Sequence, residues 1–224
     1  MRIDVVMPTY NSNKGLFSLV LESIRRYVPL NKLIVVDRYS SDGTVELVKE
    51  KFPDALVIRT HASLGYARYI GIRHVETEWF AFIDSDVLVL PNWFNTVSRY
   101  VRYEKVGAVE SSYMNIQDIS RNQSIELIKW SNKIDTNHVV MGRLLLEELN
   151  ANAIIKHGFV YARSSLDIAL VRRDAVKDWV PNPYLNAYED LALTQHVIKK
   201  GYYWLLLMCP WLFMVILLRT ILMR

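Results

Sequence analysis

The stretch Trp79-Phe80-Ala81-Phe82-Ile83-Asp84-Ser85-Asp86 (WFAFIDSD, 79–86) decides the fold. An unbroken apolar run suits a strand buried on both faces of a parallel sheet. The abrupt change to two carboxylates, two residues apart, suits the turn that leaves such a strand. Carboxylates at this spacing can share one divalent cation, directly or through its water, and a Mg²⁺ or Mn²⁺ held there meets a substrate pyrophosphate. Asp-x-Asp recurs by chance in any chain, so its position after the strand carries the inference.

The same pattern recurs on both sides. IDVVM (3–7), closed by Pro8, then LIVVD (33–37), ALVIR (55–59) and Val106–Val109 read as further strands. Between them Leu16, Leu19, Val20, Ile24 and Tyr27 recur at helical spacing, and helices are expected over 45–52, 64–75 and 91–101. Strands alternating with helices predict an α/β fold, a Rossmann-like, mostly parallel central sheet flanked by helices. Ligands of such sheets gather at the carboxyl ends of the strands, which brings Thr9, Asn11, Asp37, Asp42, Asp84 and Asp86 to one edge. Asp37 reads as an acceptor for a ribose or base, or as a turn-forming residue. No Gly-x-Gly follows the first strand, which argues against a dinucleotide fold, and no GxxxxGK[ST] occurs. Phosphate neutralisation then falls to the metal and to cations such as Arg68.

Beyond residue 110 the pattern weakens. Helices are plausible over 121–134 and 140–155, then come an apolar segment at 168–171, a Pro-rich turn (Pro181-Asn182-Pro183) and a helix from Glu189 to Lys200. Glu189 and Asp190 open that helix, where carboxylates serve as caps and dipole partners or, functionally, as a general base for an attacking hydroxyl.

Composition excludes several classes. Of 224 residues 51% are hydrophobic, with 8 Gly and 7 Pro, so collagen-like and disordered readings fail. One cysteine, Cys209, rules out an internal disulfide framework. The net charge of +4 comes without a polybasic block, so no nucleic-acid partner is expected. The mean hydropathy of +0.09 is high for this charge content, and the surplus lies in the uncharged run from Tyr202 to Leu218. That run reads as a membrane span, an interfacial helix or the stub of a membrane region. It reads alternatively as a buried strand ending at Pro210. The amino terminus lacks a signal-type apolar run, so a membrane-associated protein with a cytoplasmic catalytic domain is expected.

MPTYN (7–11), IVVDRYSSDGT (34–44), LGYARYIGI (64–72), FIDSDV (82–87), ALVRRDAV (169–176) and AYEDLALTQHVIKKGYYW (187–204) together resemble the family-2 inverting glycosyltransferases of the GT-A fold. A catalytic domain is expected over 1–201, its nucleotide-sugar half in 1–110 and its acceptor half in 111–201, followed at 202–224 by an apolar strand or membrane-associated tail. The resemblance implies that Pro8, Thr9, Tyr10, Asn11, Asp37, Gly65, Arg68, Asp84, Ser85 and Asp86 bind the nucleotide sugar. Asp86, with Asp84 nearby, would hold Mg²⁺ or Mn²⁺. Asp190 would be the base and Glu189 its acidic neighbour. The donor would be a GDP- or UDP-linked hexose such as mannose or glucose, and the acceptor a lipid-linked or glycan hydroxyl. The Q-x-x-R-W motif of processive synthases is absent, which favours transfer of one sugar. Leu88 stands where dolichyl-phosphate mannose synthases carry Gln. A polyprenyl-phosphate sugar synthase and a non-catalytic nucleotide-sugar-binding membrane protein are the alternatives.

Overall fold

The computed structural model describes residues 1–111, 114–115, 166–182, 189–207 and 215–217. The helices expected over 121–134 and 140–155 lie outside the described residues.

The runs read as strands form β1 (Ile3–Thr9), β2 (Leu30–Asp37), β3 (Leu56–Arg59), β4 (Trp79–Ile83) and β6 (Val106–Ser111). The periodic segments form α1 (Phe17–Tyr27), α2 (Thr44–Lys51), α3 (Leu64–Arg73) and the short α4 (Trp93–Val97) with a 3₁₀ turn behind it. Later in the chain come β7 (Met114–Asn115), β8 (Ile168–Arg172), α5 (Arg173–Val176), α6 (Glu189–Lys199), β9 (Tyr203–Leu207) and β10 (Val215–Leu217). The strand β5 (Val87–Val89), which sequence reading missed, is buried and directly follows the Asp84-Ser85-Asp86 turn. It belongs to a second sheet ordered β5-β10-β7.

The main sheet is ordered β3-β2-β1-β4-β8-β6-β9. Neighbours pair in parallel except at β8, which runs antiparallel to both β4 and β6. The strand order reverses between β1 and β4, and a ligand crevice opens at such a switch point. Strands buried on both faces need no polar alternation. Val5 and Met7 accordingly pack into one core layer with α1, while Val6, Phe80 and Phe82 pack into the other with Ile72 of α3.

The beginning of the uncharged C-terminal run is a strand of this sheet. Tyr203–Leu207 pairs with β6, Val106 to Ser111, and Tyr203, Trp204, Leu205 and Leu207 are buried. The buried-strand alternative describes this segment, and a tail beginning at residue 202 would cut into the sheet. Among the described residues no helix is long and apolar enough to cross a membrane. Residues 208–214 and 218–224 lie outside the described residues.

Helix α3 lies close on the sheet because Gly71 lacks a side chain. A Cβ there would stand 2.3 Å from Val6 Cγ1 in the middle of β1. Replacing Gly71 by Ala should therefore destabilise the fold by about 1–3 kcal/mol through overpacking, read as a lower urea midpoint at unchanged slope.

Candidate active site

Three loops meet at the carboxyl edge of β1, β2 and β4. The loop after β1 is tied to the loop after β2 by donors and acceptors that the sequence supplies in both. Asn11 adopts a left-handed conformation (φ 46°) that asparagine tolerates. Its backbone N–H donates to Ser40 Oγ at 2.8 Å, and its Oδ1 accepts from the Ser41 N–H at 3.0 Å. The Ser12 N–H donates to Thr44 Oγ1 at 2.8 Å, and the Asn13 N–H to Asp42 Oδ2 at 2.9 Å. Ser12 and Ser85 share a hydroxyl–hydroxyl bond of 2.8 Å, which joins this pair of loops to the carboxylate turn.

A cavity of about 150 Å³ opens beside them, lined by Pro8, Thr9, Tyr10, Val36, Arg38, Thr60, Ala62, Leu64 and Ala67. Of the ten residues expected to bind the nucleotide sugar, Pro8, Thr9 and Tyr10 line it, as does Leu64 beside Gly65. Sequence reasoning missed Arg38, Thr60 and Ala62. Arg38 stacks over the Tyr10 ring at 5.6 Å, and Thr60 follows β3 at the same edge as Asp37, whose carbonyl its N–H meets at 2.9 Å.

Asp37 is fully buried. Its Oδ1 accepts from Thr9 Oγ1 at 2.9 Å and from the Ser40 hydroxyl, its Oδ2 from the Ser40 N–H at 2.9 Å. Arg59 Nε lies 3.5 Å from Oδ2. The carboxylate is thus turned into the β1–β2 junction, where it organises the loops, and the cavity wall beside it is formed by its neighbours.

The second part of the site is charged. Arg68 is 2% exposed; its Nη2 donates to both oxygens of Asp84 at 3.0 and 2.9 Å, and its Nη1 to Glu189 Oε1 at 2.6 Å. The turn after β4 and the first turn of α6 are thereby held on one guanidinium. Asp190, half-buried beside Glu189, accepts the Leu191 N–H at 2.7 Å. Asp86 is half-buried on the Asp84-Ser85-Asp86 turn.

Asp167 completes the cluster. Because β8 is antiparallel, its amino end reaches the edge where the other strands finish, and the Asp84 N–H donates to the Asp167 carbonyl at 2.9 Å. Attention to carboxyl ends alone passes over this residue; an acidic residue immediately before the apolar run at 168–171 was the available signal. Burial pushes the Asp84 carboxyl up to about 7; Arg68 opposes that shift, and the negative Asp167 and Asp86 add to it. Among the described residues no three metal-ligating side chains converge on one point.

The model of glycosyl transferase family 2 matches residues 4–167, a span that contains the cavity, the Asp84-Ser85-Asp86 turn and Asp167. The chain belongs to that family. Within family 2 it is 31% identical over 110 residues to the glycosyltransferase SunS of Bacillus subtilis, an alignment covering 47% of this chain and 25% of SunS. Its fold matches Staphylococcus aureus TarS residues 1–349 in complex with UDP, with a TM-score of 0.59, 18% identity and coverage of 88% of this chain and 55% of that one. It also matches the glucosyl-3-phosphoglycerate synthase of Mycobacterium tuberculosis in complex with Mg²⁺ and UDP, with a TM-score of 0.60, 19% identity and coverage of 92% and 69%. The GT-A fold follows from these likenesses. The chain spans only about a quarter of SunS.

The raised Asp84 fixes the sign of a pH effect. The native state holds the proton more tightly than the unfolded chain, so this contribution to stability is complete below about pH 4 and is lost as pH rises through about 7. In metal-free buffer the stability of wild type relative to Asp84→Asn should fall between these limits by at most about 1.4 kcal/mol per pH unit. Urea unfolding of both proteins at several pH values reads the difference directly.

Proposed function

We propose that this family-2 glycosyltransferase moves one sugar from a UDP-sugar to a hydroxyl of a glycan or lipid-linked acceptor, inverting the anomeric carbon. The observation that carries the reading is the shared edge: a cavity beside β1, the Asp84-Ser85-Asp86 turn after β4, and the Glu189-Asp190 turn of α6 joined to it through Arg68. UDP in the complexes of TarS and of glucosyl-3-phosphoglycerate synthase supports uridine over guanosine as the donor nucleoside.

In this reading the nucleoside enters between Pro8, Thr9 and Tyr10 on one side and Arg38, Thr60 and Ala62 on the other. The diphosphate extends toward Asp86. The donor set there suits a divalent cation of the Mg²⁺ type, which is commonly held by one or two carboxylates together with substrate phosphates. The charge balance agrees: Asp84, Asp86, Asp167 and Glu189 bring four carboxylates to the neighbourhood of one buried guanidinium. Asp86 would be the principal ligand, since both Asp84 oxygens face Arg68. Such a cation, when bound, stabilises negative charge on the departing diphosphate. Mg²⁺ and Mn²⁺ complexes of the synthase support this choice.

Asp190 takes the proton of the acceptor hydroxyl as that oxygen bonds to the anomeric carbon. The bond from that carbon to the diphosphate oxygen breaks with its electron pair, and UDP leaves. A phosphate acceptor, already ionised, would need no such base, so Asp190 favours a hydroxyl.

The test uses UDP-GlcNAc and UDP-glucose with Mn²⁺, measuring UDP release and, by calorimetry, UDP affinity. Asp190→Asn should lower turnover by about 10²–10⁴-fold while leaving UDP affinity intact. Asp86→Ala should abolish the Mn²⁺ dependence of UDP binding. Undiminished turnover in Asp190→Asn removes the base assignment, and Mn²⁺-independent UDP binding by wild type removes the metal.

A further inference from the structure

The sequence placed Arg68 among the groups facing the nucleotide phosphates, but its surroundings describe a different task. A phosphate ligand keeps its donors open to the crevice. The Arg68 guanidinium is closed off: Phe82 lies against it at 5.9 Å from ring centre to Cζ, and its Nε is buried with no hydrogen-bond partner. The remaining nitrogens turn to Asp84 and Glu189, carboxylates that belong to different elements and lie 105 positions apart by their numbering (189 minus 84). A second contact brings the same two regions together. A Cβ on Gly65, one turn before Arg68 on α3, would stand 2.8 Å from Glu189 Cβ and 3.8 Å from Pro181 Cβ. Only hydrogen fits where α3 meets the start of α6.

We propose that Arg68 is a positioning residue: through Glu189 it holds the first turn of α6, and with it the Asp190 carboxylate, at a fixed place relative to the Asp84-Ser85-Asp86 turn. Glu189 is then the handle by which the helix is held, and Asp190 the group presented. The nucleotide half and the acceptor half of the site are coupled by one side chain that touches neither substrate. Geometry of this kind matters because a displacement of about 1 Å at a reacting group can cost about 10²-fold in rate. Arginine suits the task where lysine does not, since its planar fork serves two carboxylates at once.

The task of Asp190 rests on the transferase reading, but the positioning belongs to the free protein and is tested there first. Amide hydrogen exchange of the full chain is compared among wild type, Glu189→Gln, Gly65→Ala, Arg68→Lys and Arg68→Ala. Glu189→Gln and Gly65→Ala keep Arg68 in place, so they decide the matter even if Arg68→Ala fails to fold. The amides of Leu193, Thr194 and Gln195 should exchange about tenfold faster in both, with β1 and β4 unchanged. Unchanged exchange in α6 overturns the proposal.

The second measurement separates positioning from a general structural role. UDP affinity in Mn²⁺ should stay within about threefold of wild type, while UDP release from UDP-GlcNAc or UDP-glucose falls about 10²-fold. Arg68→Lys should recover part of the Arg68→Ala loss, and Glu189→Gln added to Arg68→Ala should cost nothing further. A parallel fall in UDP affinity and turnover makes Arg68 a nucleotide ligand and overturns the proposal. If wild type neither binds UDP nor releases it, the transferase reading fails, and the exchange result still decides the positioning.

Discussion

A guanidinium that is 2% exposed must be answered by carboxylates, because an unpaired buried charge costs several kcal/mol. Arg68 is answered twice, by Asp84 and by Glu189. That requirement fixes the end of β4 against the start of α6, two parts of the chain that the sheet alone would leave independent. The carboxylates gain as well: Asp84, with Asp167 and Asp86 near it, would hold its charge at still greater cost without the cation. Removing one member strands the others, so the cluster behaves as a unit.

Much of the parallel half was legible in the sequence, for a simple physical reason. Strands covered on both faces are built from continuous apolar runs, and those at 5–7, 33–36 and 79–83 are of this kind. Helices α1 and α3 were legible from their periodicity. What escaped depended on tertiary pairing. Val87–Val89 is too short to announce itself, and becomes a strand through pairing with Val215–Leu217. Direction escaped too, since nothing in ALVR tells that β8 runs against its neighbours, and this direction alone brings Asp167 to the site. The run at Tyr203–Leu207 is apolar because β9 buries most of its side chains against the core, and apolarity by itself does not distinguish such a strand from a membrane segment.

The candidate site was legible in its membership more than in its roles. Pro8, Thr9 and Tyr10 border the cavity. Asp37 and Asn11 were expected to face the nucleotide, yet their polar atoms are engaged by Thr9, Ser40 and Ser41. Residue types announce that a loop is polar; whether a carboxylate looks outward or braces its neighbours depends on partners both near, as Ser40, and distant, as Thr9 on another strand. The bracing has a value of its own. With Thr9 and Ser40 locked on Asp37, the backbone that borders the cavity is ordered before any ligand arrives, so less conformational freedom is lost on binding.

The antiparallel course of β8 has an architectural consequence. The chain leaves the sheet at Ser111, at the site edge, and returns at Asp167, hydrogen-bonded to Asp84 on that same edge. Both anchors of the intervening sequence are therefore stationary and adjacent to the chemistry. Doubling the length of a connection whose ends are already fixed costs only about 0.6 kcal/mol of closure entropy. A change of length within that single contiguous stretch therefore leaves the cost of fixing its two ends beside Asp84 nearly unchanged.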